Sequence, residues 1–102
     1  MNRPYKVRFT DSAREDLLEL HAFLAAHSIA AAGSALGTIE RALSLLEEFP
    51  WACRASTAIP RSRFRELVIP FGRRGYVALF EIEGDEVVTI LAVRHQRESD
   101  YH

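Results

Sequence analysis

Apolar and polar positions alternate from Tyr5 to Thr10: Tyr5, Val7 and Phe9 interleave with Lys6, Arg8 and Thr10. A period of two predicts a strand with one buried face, expected at a sheet edge. The period then lengthens. Ala13, Leu17, Leu20 and Leu24 recur at helical spacing with Leu18 and Phe23 alongside, which predicts a helix from about Asp11 to His27. Thr10, Asp11 and Ser12 are its candidate N-caps, and Ser12 and Glu15 stand at capping-box spacing. After a break near Ser28 to Ala30, Ala32, Ala35, Leu36, Ile39, Leu43 and Leu46 mark a second helix from about Ala31 to Glu48. Gly33 and Gly37 weaken it and allow close contact. So short a link predicts a helical hairpin lying on one face of a sheet. Pro50 ends the second helix, Phe49 and Trp51 are expected to anchor its exit in the core, and 52–62 read as loop.

Phe64 to His95 reads as three antiparallel strands in succession. In the middle one, Tyr76, Ala78, Phe80 and Ile82 share one face, and Val77, Leu79, Glu81 and Glu83 share the other. Gly84-Asp85 predicts a two-residue hairpin loop, and Gly72 and Gly75 bracket a basic turn tip at Arg73-Arg74. Val87, Val88, Ile90, Leu91 and Val93 are apolar on both faces, as an inner strand requires. The resulting order is β-α-α-β-β-β, an α+β fold with a helical hairpin on a mostly antiparallel four-stranded sheet.

Length bounds the chain to one domain over residues 1–102. An apolar fraction of 48% is ordinary for a globular protein, and no apolar run approaches membrane-span length. Arg3, Lys6 and Arg8 interrupt any leader-like apolar stretch, and the single Cys53 has no partner for an internal disulfide; a cytoplasmic location is the expectation. The four histidines, at 21, 27, 95 and 102, lack zinc-type spacing, so neither a metal nor a cofactor is expected. Net charge is −1, but its distribution is uneven. Arg54, Arg61, Arg63, Arg65, Arg73 and Arg74 share a window in which Glu66 is the one acid, and Lys6 is the one lysine in the chain. That window is either a solvated loop or a basic face whose planar guanidinium groups suit phosphate or carboxylate.

The opening YKVRFTDSAREDLLEL, the FRELVIPFG strand and the meander GYVALFEIEGDEVVTILAVRHQRE, in that order and spacing, resemble the RelE/ParE superfamily of type II toxin–antitoxin toxins. The closing VTILAVRHQRESDY is more similar to the ParE branch. This resemblance implies a plasmid-stabilisation toxin that poisons DNA gyrase by direct binding and is neutralised by an antitoxin encoded beside it. Arg63, Arg65, Arg73, Arg74, Arg94, His95 and Arg97 are the candidate target-binding residues. The RelE branch implies instead ribosome-dependent cleavage of messenger RNA. In that reading Arg65 and Arg94 stabilise charge, His95 exchanges protons and Tyr101 stacks or donates, though a lysine-rich patch is missing. A non-toxic partner-binding remnant is the third alternative.

Overall fold

A computed structural model describes residues 3–56, 63–72 and 74–95, with the Arg74 side chain left out of the description. Five strands form one sheet in the order β1-β5-β4-β3-β2, with β1 spanning Lys6–Phe9, β2 Arg54–Ala55, β3 Phe64–Phe71, β4 Arg74–Glu83 and β5 Val87–His95. β1 is an edge strand running parallel to β5, and the other pairings are antiparallel. The two-residue β2 adds a fifth strand to the four expected. It lies within the stretch predicted to be loop, which opens with the last residue of a short 3₁₀ turn, Pro50–Ala52.

Helices α1 (Asp11–Ala25) and α2 (Ile29–Ser44) form a hairpin on one face of this sheet. Thr10 caps α1, its hydroxyl accepting from the Ala13 N–H at 3.1 Å, so the Ser12–Glu15 capping box is not the device used. Ser28 does the same for α2 by accepting from Ala31, which starts that helix two residues earlier than its apolar pattern suggests. The core fills the space beneath: Ala13, Ala35, Ile39, Leu43 and Leu46 meet Ile69, Tyr76, Ala78, Phe80, Val88, Ile90 and Val93. Leu18 and Phe23 turn outward instead, 70% and 67% exposed. Length and a mean hydropathy of 1.2 would suffice for Ile29–Glu47 to cross a membrane, which corrects the reading that nothing approaches that length. Its Ala32, Ala35, Ile39, Leu43 and Leu46 stripe is buried, as in the core helix of a globular fold.

Both hairpin connections differ from their sequence reading. Glu83 pairs with Val87, so the β4–β5 loop has three residues, Gly84 to Glu86, with Gly84 at φ 62°. Phe71 pairs with Arg74, so β4 begins at Arg74 rather than after Gly75, and the β3–β4 connection opens at Gly72, at φ 63°. Gly75 is within β4, where an added Cβ would stand 2.1 Å from the Ile69 carbonyl oxygen. It is glycine because the neighbouring backbone occupies the space of a side chain. At the exit of α2, Pro50 is the buried residue, whereas Phe49 and Trp51, expected to anchor the core, are 57% and 59% exposed.

Candidate functional site

A β-bulge decides how the polar end of β5 is presented. Leu79 pairs with Ala92 but Phe80 pairs with Ile90, leaving Leu91 as an extra residue on β5. Before the bulge Val88 and Ile90 face the helices; after it, Val93 and His95 do. Without it Arg94 would take that side. Helix α1 receives the backbone groups that the bulge disturbs. Asp16 Oδ2 accepts from the Val93 N–H at 2.9 Å, and the Thr10 hydroxyl donates to the Leu91 carbonyl at 3.3 Å. One threonine thus both caps the helix and ties it to the bulge.

His95 emerges half-buried on the helix side, its ring edge-on to Tyr76 with centroids 5.7 Å apart. Burial raises the Tyr76 phenol above its ordinary pKa. Arg94 is exposed on the opposite face of the sheet. Arg65, on β3, also points to the helix side, but its guanidinium lies 4.7 Å over the Trp51 ring and donates to the Cys53 and Trp51 carbonyls. By register, Arg65 lies opposite Phe80 and His95 opposite Tyr76. Four residues along and two strands across, their backbones are roughly 16 Å apart. Arg63 Nε meets Glu81 Oε1 at 2.6 Å. Arg73, Arg97 and Tyr101 lie outside the described residues, and Arg74 is placed by its backbone alone.

Sequence reading missed three polar arrangements. Arg8 Nη2 donates to Glu83 Oε2 at 2.7 Å and Nε to Thr89 Oγ1 at 2.9 Å, while the Thr89 hydroxyl donates to Glu83. The Thr89 hydroxyl and the Arg8 guanidinium hold the Glu83 carboxyl below its ordinary pKa. Glu66, 4% exposed, accepts from Arg54 Nε at 3.0 Å and from the Ser56 hydroxyl at 3.2 Å. Asp16 reads in the sequence as one of several early helix acids that favour the dipole, with nothing to mark it as the bulge partner. Burial raises the Cys53 thiol despite the opposing Arg65 charge, so it is not activated as a nucleophile. Among the described residues no three His, Cys, Asp or Glu side chains are grouped to hold a metal ion.

A family described as the ParE toxin of the type II toxin–antitoxin system, parDE, matches residues 7–100. The chain belongs to this ParE toxin family. It is therefore a type II toxin of the RelE/ParE superfamily, with the two-helix, mixed-sheet fold that goes with it. Among solved structures it is similar to a chromosomal ParDE toxin–antitoxin system from P. aeruginosa, with a TM-score of 0.75 and 18% identity, covering 89% of this chain and 95% of that one. That likeness is one of fold. It is also similar to the toxin–antitoxin complex RelBE2 from Mycobacterium tuberculosis, with a TM-score of 0.58 and 28% identity, covering 90% of this chain and 98% of that one. No curated protein matches it.

Proposed function

We propose that this ParE-family toxin acts by binding DNA gyrase in the cytoplasm, without chemistry of its own, so that cleaved DNA accumulates. Neutralisation by a cognate antitoxin would make the pair a module that stabilises the plasmid or other replicon carrying it. The observation that supports binding over catalysis is the dispersal of Arg65, Arg94 and His95. Arg65 is stacked on Trp51, Arg94 is on the opposite face, and His95 stands roughly 16 Å from Arg65 by strand geometry. Cleavage of RNA by 2′-hydroxyl attack requires charge stabiliser and proton carrier at one phosphate. These three do not converge on one. Arg94 and His95, neighbours at the end of β5 that point to opposite faces, are the proposed centre of the contact, and Arg63, Arg73, Arg74 and Arg97 are further candidates rather than parts of one patch. The similarity to structures of toxin–antitoxin complexes supports the antitoxin as a partner.

The test is a supercoiling assay with the isolated toxin and gyrase. Linear plasmid should rise with toxin dose and disappear on addition of the antitoxin, and Arg94→Ala should weaken the effect without changing the melting temperature. Unchanged supercoiling and cleavage at molar excess of folded toxin would refute the proposal. Ribosomes translating messenger RNA would then be the system to assay, and cleavage there would assign the RelE-type activity.

A further inference from the structure

A second surface, opposite in character to the arginine-rich one, lies where the chain enters β1. A cleft of about 870 Å³ opens between the segment before β1, the end of the α2 region and the β4–β5 loop. Its walls include Tyr5, Phe49 and Trp51, and its rim carries Glu47, Glu48, Asp85 and Glu86 against a single cation, Arg3. None of those four carboxylates is ion-paired among the described residues. The walls are held in place. Tyr5 N–H donates to the Glu47 carbonyl and Lys6 N–H to the Glu86 carbonyl, each at 2.7 Å, and Trp51 Nε1 donates to the Tyr5 hydroxyl at 3.0 Å. Arg65 already lies over the Trp51 ring, yet Trp51 is 59% exposed and Phe49 57%.

We propose that this cleft docks a basic segment of a protein partner in which arginine or lysine alternates with apolar residues. Charge complementarity selects that occupant: the residues lining the cleft include four acids and one arginine, and a guanidinium there can meet both an aromatic face and an anionic acceptor. Apolar neighbours in the segment cover Phe49 and Trp51, whose exposure otherwise costs solvation energy. An acidic segment or a nucleic-acid phosphate is repelled by the same rim. A second copy of the toxin is a poorer occupant, because its arginine residues would meet this cleft head to tail, a contact between two different patches rather than the self-complementary one of a two-fold dimer. The inference does not depend on gyrase being the toxin's target.

Trp51 is the only tryptophan, so its emission reports on the cleft directly. The full-length toxin is titrated with a short peptide alternating arginine and leucine, and with one alternating glutamate and leucine. Saturable change in Trp51 emission is expected with the first peptide and none with the second. A Glu47→Lys/Glu86→Lys variant, altered at exposed positions and checked for an unchanged circular dichroism spectrum, should bind the basic peptide at least about tenfold more weakly. Absence of saturable binding by the basic peptide overturns the proposal, as does equal binding by the variant. Emission that changes with toxin concentration alone, accompanied by dimers in sedimentation, also overturns it by assigning the cleft to a second copy.

Discussion

Replacing Asp16 tests whether α1 holds the bulge that orients Arg94 and His95. In Asp16→Ala the Val93 N–H loses the acceptor now 2.9 Å away. Hydrogen bonds to charged groups contribute about 1.5–3 kcal/mol, and the lower end applies here because Asp16 is only half-buried and water can replace part of the contact. A loss of about 1.5 kcal/mol in a chain of this size lowers the melting temperature by roughly 7 °C. Asp16→Asn keeps an amide oxygen able to accept the same bond and should lose about half as much. Thermal unfolding measures both, and amide hydrogen exchange locates the effect, with Val93 deprotected in the alanine variant. The contact between the Tyr76 and His95 rings should weaken in parallel in NMR spectra, because it depends on the face that follows the bulge. Equal melting temperatures for the alanine and asparagine variants, or an unchanged Val93 exchange rate in Asp16→Ala, would refute this account.

Glycine substitutions should diverge by environment. Gly75→Ala forces a Cβ to 2.1 Å from the Ile69 carbonyl and should destabilise by about 3 kcal/mol or more, whereas Gly33→Ala, with nothing within 4 Å of its added Cβ on α2, should stabilise by up to about 1 kcal/mol; urea unfolding decides. A Gly75→Ala protein as stable as the parent would contradict the close backbone approach. Glu83 predicts an acid-dependent loss of stability. Its folded pKa is lowered, first by the Thr89 hydroxyl and then by Arg8, so its contribution is present above the unfolded carboxyl value of about 4.3 and disappears as pH falls through the lower folded value. Urea midpoints at pH 7 and pH 3 should therefore differ less in Thr89→Val than in the parent, and parallel behaviour of the two proteins would count against the link.

Periodicity alone distinguishes the helices from the strands of this toxin. A strand needs every second side chain apolar and a helix every third or fourth, and Tyr5-Val7-Phe9, Ala13-Leu17-Leu20-Leu24 and Tyr76-Ala78-Phe80 meet those rules locally. The family is legible for a related reason, since it rests on the order and spacing of those segments over residues 7–100. What depended on contacts distant in sequence was not legible. Nothing in YKVRFT says that β1 runs parallel to β5, and nothing in RA announces β2, whose pairing with Arg65 and Glu66 comes from the fold. Phe49 and Trp51 look like core residues by composition, yet Pro50 takes the buried position between them. The candidate residues illustrate the same division most sharply. Arg94 and His95 are neighbours that alternation places on opposite faces, but which face each receives is set by the extra residue at Leu91 and the α1 side chains that satisfy its backbone. That choice joins Asp16 to Val93 across 77 residues, and only the tertiary structure could make it.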